Sequence, residues 1–322
     1  MKEIKVTKND SGQRIDRFLS KSFPLGQGQI CKLARKNCIK LNGKKCKPDT
    51  HIAENDIIKL FIPDEMLTPK AKSDSDDFTG VSDKIDIVYE DENILLVDKP
   101  VGMVVHEDES GDSDTLINRI KSYLYHKGEY HPENELSFAP ALCNRIDRNT
   151  CGIVIAAKNA ESLRILNQKI RDRELTKLYL CIACGKVTPD SATLTAYLEK
   201  NSDTNTVKIS DKKTKNNLTI KTKYKVIAYN GENSLLKVDL LTGRTHQIRA
   251  HLAYIGHALL GDGKYGNNKL NKKYGFKYQA LCSYELQFKF TTDAGCLSYL
   301  DGKCFKAKAP DFVKMFGGNI KL

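Results

Sequence analysis

The chain has 322 residues, with 52 Lys and Arg against 40 Asp and Glu, for a formal net charge of +12. Apolar residues make up 40% and charged residues 29%, enough for packed cores and too polar for a fibre or a membrane protein. The length suggests two domains at roughly 100–200 residues each, and the basic excess points to a polyanionic partner such as nucleic acid. The longest apolar runs, such as Cys151–Ala157, fall well short of the roughly 18–20 residues a membrane span needs. No apolar run follows the charges of Met1-Lys2-Glu3-Ile4-Lys5, so no secretory signal and a cytoplasmic site of action are expected. The 10 cysteines are then expected as reduced thiols. The close pair Cys181-Ile182-Ala183-Cys184 reads as two buried strand thiols, because no second pair stands at zinc-ribbon spacing.

Residues 1–63 carry 14 Lys and Arg against 6 Asp and Glu, while residues 64–92 carry 3 against 10. The acidic seam includes Ser73–Gly80, which has no apolar period and reads as a solvated linker. Three segments are therefore expected: 1–63, a linker over 64–84, and 85–322. In the first, Ile15, Phe18 and Leu19 form one helical face, and Ile30, Leu33 and Ala34 form another. Asn42-Gly43 predicts a tight hairpin turn, and Ile57–Ile62 a closing strand. Gly12–Leu19, Ile30–Arg35 and Ile39–Lys44 resemble the S4 RNA-binding domain. The resemblance implies a small α/β module that grips structured RNA by its phosphates, through Arg14, Arg17, Lys32, Arg35, Lys36 and Lys44. Such contacts position a protein without specifying sequence.

From Ile87 to Pro100 the texture is that of two strands around an acidic turn. Arg145-Ile146-Asp147-Arg148 then runs through Thr150-Cys151-Gly152 into an apolar strand. A carboxylate between two arginines should stay ionised, suited to act as nucleophile or base; the alternative is a structural ion pair. Lys177-Leu178-Tyr179 opens a further strand, where a tyrosine is commonly core. Thr242-Gly243-Arg244-Thr245-His246 reads as a turn opening a helix that contains Arg249, with Arg244 and Thr245 at its start forming a candidate phosphate site. His246, His251 and His257 lack metalloprotease spacing, and no metal is expected. Asn201–Lys223 reads as a hairpin with exposed tips, and Lys127–Leu136 as a loop.

Together Tyr89-Glu90-Asp91, Lys99-Pro100-x-Gly102, Arg145-x-Asp147-Arg148-x-Thr150-x-Gly152, Lys177-x-Tyr179 and Thr242–Arg249 resemble the bacterial RluA/RluC/RluD-type pseudouridine synthases. The resemblance covers nearly the whole chain and includes the tail Ala309-Pro310-Asp311-Phe312. It implies an α+β fold, with a catalytic domain on a large, mainly antiparallel mixed sheet behind the S4 module. It also implies a cofactor-independent isomerisation of uridine in structured RNA; a monomer is expected. By that resemblance Asp147 is the essential carboxylate, Tyr179 lies against the target base and Arg249 pairs with Asp147. Arg145 fills the stack left by the flipped nucleotide, and Arg244 and His246 contact RNA. The family usually has His where this chain has Asn144, and Ser where it has Cys151. The expected substrate is 23S ribosomal RNA, with transfer RNA second; an inactive RNA-binding or ribosome-assembly protein is the alternative outside catalysis.

Overall fold

The computed structural model describes residues 1–322 apart from 69–77, 79, 108–110, 112, 202–203 and 318–319. It divides into two compact units. The first comprises Met1–Lys84, Glu107–Ala141 and Ala157–Arg164; the second comprises Ile85–His106, Leu142–Ala156 and Ile165–Leu322.

In the first unit, β1 (Lys2–Lys5), α1 (Ile15–Ser22), α2 (Gln27–Arg35), β2 (Ile39–Leu41), β3 (Lys44–Lys45) and β4 (Ile57–Leu60) follow in order. The strands pair as β1-β4-β2-β3. Asp16 stands in the first turn of α1, and Lys32 and Arg35 in the last turn of α2, each where its sign suits the helix dipole. The α2 start is closed by the Gln29 side chain, which accepts the Gly26 amide at 2.9 Å. Asn42 and Gly43 both take positive φ, the conformation a two-residue hairpin between β2 and β3 demands. Ile15, Phe18 and Leu19 meet Ile30, Ile39, Ile58 and Leu60 in one buried cluster. Burying each such side chain stabilises by about 1.5–3 kcal/mol, so two short helices that would melt alone hold together. Most of Ser73–Gly80, read as a linker, lies outside the described residues. Phe78 within it is buried rather than solvated, its ring 5.7 Å from Tyr125 and 5.9 Å from Tyr130. Tyr125 belongs to α3 (Leu116–His126), and α4 (Ala160–Arg171) follows later in the chain.

The second unit carries the large sheet. Its strands are β5 (Ile87–Glu90), β6 (Ile94–Lys99), β7 (Ala141–Leu142), β8 (Cys151–Ala157), β9 (Leu175–Cys184), β10 (Ser191–Asn201), β11 (Thr206–Ser210), β12 (Leu218–Tyr229), β13 (Asn233–Asp239), β14 (Leu281–Phe288) and β15 (Cys304–Lys306). Their order is β11-β10-β12-β13-β9-β14-β8-β6-β5, with β15 beside β14 and β7 beside β8. The β8–β14 pair is parallel, whereas β9 pairs antiparallel with both β13 and β14. The expected mainly antiparallel mixed sheet is therefore present. β8 reads as a continuous apolar run because it is central and buried on both faces. In β12, Ile220, Thr222 and Tyr224 are buried while Lys221, Lys223 and Lys225 alternate outward.

One reading changes and one is refined. Asn201–Lys223 is more than one hairpin: β10 pairs with β11 on one side and with the returning β12 on the other. Cys181 and Cys184 both sit in β9 as expected, Cys181 buried and Cys184 only partly so; three residues apart in a strand they face opposite sides of the sheet and cannot share a ligand. The helices α5 (Gln247–Tyr254) and α6 (Asn268–Lys273) complete the unit. Ile248 and Leu252 of α5 pack on Tyr179, Tyr224 and Val238, which fixes the helix against one sheet face. Among the described residues, no helix is long and apolar enough to cross a membrane.

Candidate active site

The turn from Asp147 to Thr150 leads into β8, and its shape is held from three directions. The Thr150 amide donates to the Asp147 carbonyl at 3.0 Å, and Gln279 Nε2 donates to the Thr150 hydroxyl at 3.2 Å. At the end of β6 the Lys99 ammonium is fully buried and donates to the carbonyls of Pro100, Met103 and Arg148 at 2.8, 2.8 and 2.9 Å. Arg148 Nε donates to the Gly102 carbonyl and the Gly102 amide donates to the Arg148 carbonyl, each at 3.0 Å. Burial pushes the Lys99 pKa down to about 8, partly opposed by Cys151 and Asp147. Its ammonium form still prevails at pH 7, and only that form has three hydrogens for three carbonyls. Lys99-Pro100-x-Gly102 and the Arg-x-Asp-Arg turn are thus one stapled unit.

The charge partner of Asp147 is the one the resemblance implies, not the flanking arginines that the local sequence suggests. Neither flanking arginine pairs with it: Arg145 is exposed, and Arg148 turns to Gly102. Arg249, 102 residues away on α5, supplies the pair, with its Nη1 at 2.7 Å from Asp147 Oδ2. Arg249 is itself gripped by Asp262, with Nε–Oδ2 2.7 Å and Nη2–Oδ1 3.0 Å. Asp262 is fully buried and also accepts the Lys264 and Tyr265 amides at 2.8 and 3.1 Å. Burial opposes the charge on Arg249, but the hydrogen bonds and charges of Asp262 and then Asp147 hold its pKa above the ordinary arginine value. The guanidinium also lies 5.4 Å from the centre of the Tyr265 ring. One planar fork therefore joins a fully buried carboxylate to a carboxylate whose side chain is 27% exposed.

His246 precedes α5 in the left-handed conformation, φ 52°. The Gln247 side chain sets this corner: its Oε1 accepts from the Thr242 hydroxyl at 2.8 Å and the Arg244 amide at 3.2 Å. Its Nε2 donates to the Lys221 carbonyl and the Thr222 hydroxyl, both at 3.0 Å. The Val207 amide donates to the Tyr265 hydroxyl at 2.9 Å, and that hydroxyl lies 2.9 Å from His246 Nδ1. With Tyr265 donating to Nδ1, the proton of a neutral ring sits on Nε2, 4.0 Å from Asp147 Oδ2. Burial lowers the His246 pKa; Asp147 opposes the shift, while Arg249 and Lys264 add to it. Neutral imidazole is therefore favoured at pH 7.

Tyr179 on β9 is 5% exposed and packs in the cluster that contains Ile248 and, at its edge, Ile146. Its pKa is pushed up to about 12, chiefly by burial, with a hydrogen bond from Ser283 opposing and the Asp147 charge adding. At neutral pH it is a phenol. The fold thus brings Asp147, Tyr179, Arg249 and His246 into one neighbourhood, while Arg145 and Arg244 are exposed. In the first unit Arg17, Lys32, Arg35, Lys36 and Lys44 are exposed, whereas Arg14 pairs with Asp16 at 2.6 Å. Lys99 stood in a recognised motif without an assigned role, and Asp262 and Tyr265 stood outside the motifs that carry the resemblance. The available signal was their type, a strand-end lysine before Pro and an Asp-x-x-Tyr step between glycines, but not their partners.

The three histidines do not converge. His251 Nδ1 lies 3.0 Å from the Thr222 hydroxyl, and His257 Nδ1 lies 3.0 Å from the Cys184 carbonyl. Among the described residues, no group of three or more His, Cys, Asp or Glu is disposed to hold a metal ion. Asn144, where the family pattern has His, accepts the Ile155 amide at 2.8 Å and so braces the strand after the turn.

Comparisons with known proteins agree with this reading. The RNA pseudouridylate synthase family model matches residues 93–254. An uncharacterised RNA pseudouridine synthase of Mycoplasma genitalium is 36% identical over 293 residues, covering 88% of each chain. The ribosomal large subunit pseudouridine synthase D of Borreliella burgdorferi is 31% identical, over 81% of this chain and 78% of that one. The structure of human RNA pseudouridylate synthase domain containing 4 superposes with a TM-score of 0.56 at 19% identity, covering 71% of this chain and 90% of that one; that likeness shows the shared fold. The chain belongs to the RNA pseudouridylate synthase family.

Proposed function

We propose that the protein isomerises selected uridines of 23S ribosomal RNA to pseudouridine, with Asp147 as the catalytic carboxylate and no metal or cofactor taking part. The observation that carries this reading is the Asp147–Arg249–Asp262 chain, which aims a partly exposed carboxylate from an otherwise buried ion-pair network. The isomerisation breaks the C1′–N1 bond, turns the detached uracil and joins C5 to C1′; C5 loses a proton and N1 gains one, so the sum is unchanged. Such chemistry needs an unprotonated carboxylate beside sugar and base, and walls that keep the free uracil in place. Arg249 supports the first requirement. The buried Tyr179 ring supports the second, as a flat surface for the base and a neutral hydroxyl for proton transfer. His246, neutral and held by Tyr265, offers an N–H at the rim for RNA.

The target must leave its stack, at a cost of a few kcal/mol. We assign Arg145 to the vacated position, since it is exposed two residues before Asp147, and Arg244 to a nearby phosphate. Arg17, Lys32, Arg35, Lys36 and Lys44 are assigned to the RNA backbone, with residues 1–63 as an S4-type clamp before a catalytic region over 85–322. The 23S substrate is supported by relatives named as ribosomal large subunit synthases C and D and by the net charge of +12. A cytoplasmic monomer fits that substrate. The test is pseudouridine mapping of total RNA from cells with and without the gene. Loss at one or a few 23S positions is expected; loss confined to transfer RNA would move the substrate, and an unchanged map would contradict the assignment.

A further inference from the structure

Cys151 and Cys282 are direct partners across the parallel β8–β14 pair. Neighbouring strands run about 4.7–4.9 Å apart, inside the 4.4–6.8 Å range of Cα separations that a disulfide spans. Direct partners also point to the same face, so the two sulfurs meet rather than diverge. The approach is built into the next residue: a Cβ on Gly152 would collide with the Ser283 carbonyl, so only glycine lets the strands close here. Both thiols line a cavity of about 530 Å³, which Lys99, Phe276, Tyr278 and Phe312 also border. None of Asp147, Tyr179 or Arg249 lines it, so it is separate from the candidate active site. The Cys151 thiol also reaches the Leu281 carbonyl at 3.7 Å. The hydrogen bond with Cys282 pulls the Cys151 thiol below its ordinary value against burial, and Lys99 adds to the shift. That same bond, then burial, raises Cys282. The pair is asymmetric, with an attacking sulfur and a proton-bearing one.

We propose that Cys151 and Cys282 form an oxidation site for small hydroperoxides, closing a disulfide between β8 and β14. The Cys151 thiolate attacks the peroxide, ROOH. Its sulfur gains the distal oxygen as a sulfenic acid, and RO⁻ leaves and takes the proton released from Cys151. The Cys282 sulfur then attacks the sulfenic sulfur and the S–S bond forms, with the hydroxyl and the Cys282 thiol proton departing as water. Two electrons pass from the two sulfurs to the peroxide O–O bond. The bridge closes immediately after the turn that carries Asp147, although the site does not depend on the catalytic assignment.

The full-length reduced protein is treated with equimolar hydrogen peroxide, its remaining thiols are alkylated, and the peptides are mapped by mass spectrometry. The expected result is a Cys151–Cys282 linked peptide as the first product, with two of the ten thiols lost and recovery under dithiothreitol. In Cys282→Ser, dimedone is expected to trap a sulfenic acid at Cys151; in Cys151→Ser, Cys282 is expected to stay alkylatable. Circular dichroism establishes that both variants fold, and the wild-type map decides the question without them. The proposal is overturned if the exposed Cys304 oxidises while Cys151 and Cys282 remain free, or if Cys151 oxidises with no bridge to Cys282.

Discussion

Among single residues, Asp262 is as informative as Asp147. It is fully buried, yet both its oxygens hold Arg249. Asp262→Asn keeps the volume and removes the charge that orients the guanidinium. A displacement of about 1 Å can cost on the order of 10²-fold in rate. Asp262→Asn is therefore expected to lower kcat by roughly 10–10²-fold with a smaller effect on KM, in single-turnover assays on an RNA transcript. An unchanged kcat would show that Arg249 needs no anchor. Arg249→Lys is expected to fail similarly, because an ammonium cannot span two carboxylates as a planar fork does. The candidate carboxylate and its motif were legible in the sequence; local reasoning took its charge partner from chain neighbours, and only the family resemblance pointed to Arg249. Arg145 and Arg148 were adjacent by covalent order only. Arg249 is adjacent by packing, 102 residues on, and no local pattern encodes that distance.

Among the elements, α5 joins chemistry to scaffold. Its Gln247 ties the Thr-Gly-Arg-Thr corner to β12, and its His251 is buried against Thr222 of the same strand. Burial lowers the His251 pKa to about 4, against about 6.5 for an unperturbed histidine. The unfolded chain thus binds the proton first as pH falls. The stability from a neutral buried imidazole is complete above about pH 6.5 and is lost between 6.5 and 4, on the order of 3 kcal/mol by pH 4. Urea titrations of wild type and His251→Gln across that window should converge as pH falls; parallel curves would exclude His251 as the acid-sensitive group. The short helices, the Asn42-Gly43 turn and the apolar β8 were all legible, since each is fixed by local period or turn chemistry. The course of 201–223 was not, because a strand's choice of two neighbours depends on the sheet around it. Cys181 and Cys184 were expected as buried strand thiols; both lie in β9, but only Cys181 is fully buried, because Cys184 stands at the strand's end.

For the whole molecule, the charge excess becomes exposed side chains. In the first unit Lys32, Arg35, Lys36 and Lys44 are solvent-exposed on α2, at its end and on β3. Removing residues 1–63 would cut a compact unit that also contains Glu107–Ala141, so substitution is the cleaner perturbation. Replacing all four by Gln should leave the fold intact and weaken RNA binding. The slope of log K against log salt should fall by up to about 3.6, at roughly 0.7–0.9 per lost phosphate contact. An unchanged slope would remove this surface from the RNA contact.

The proposed catalyst of the isomerisation is Asp147, the carboxylate on the turn before β8. That role is tested most directly by measuring pseudouridine formed on a 23S ribosomal RNA transcript by purified wild type and by Asp147→Ala, with RNA affinity measured in parallel. The expected result is conversion by the wild type, none detectable with Asp147→Ala, and affinity within a few-fold. Undiminished conversion by Asp147→Ala would contradict the account.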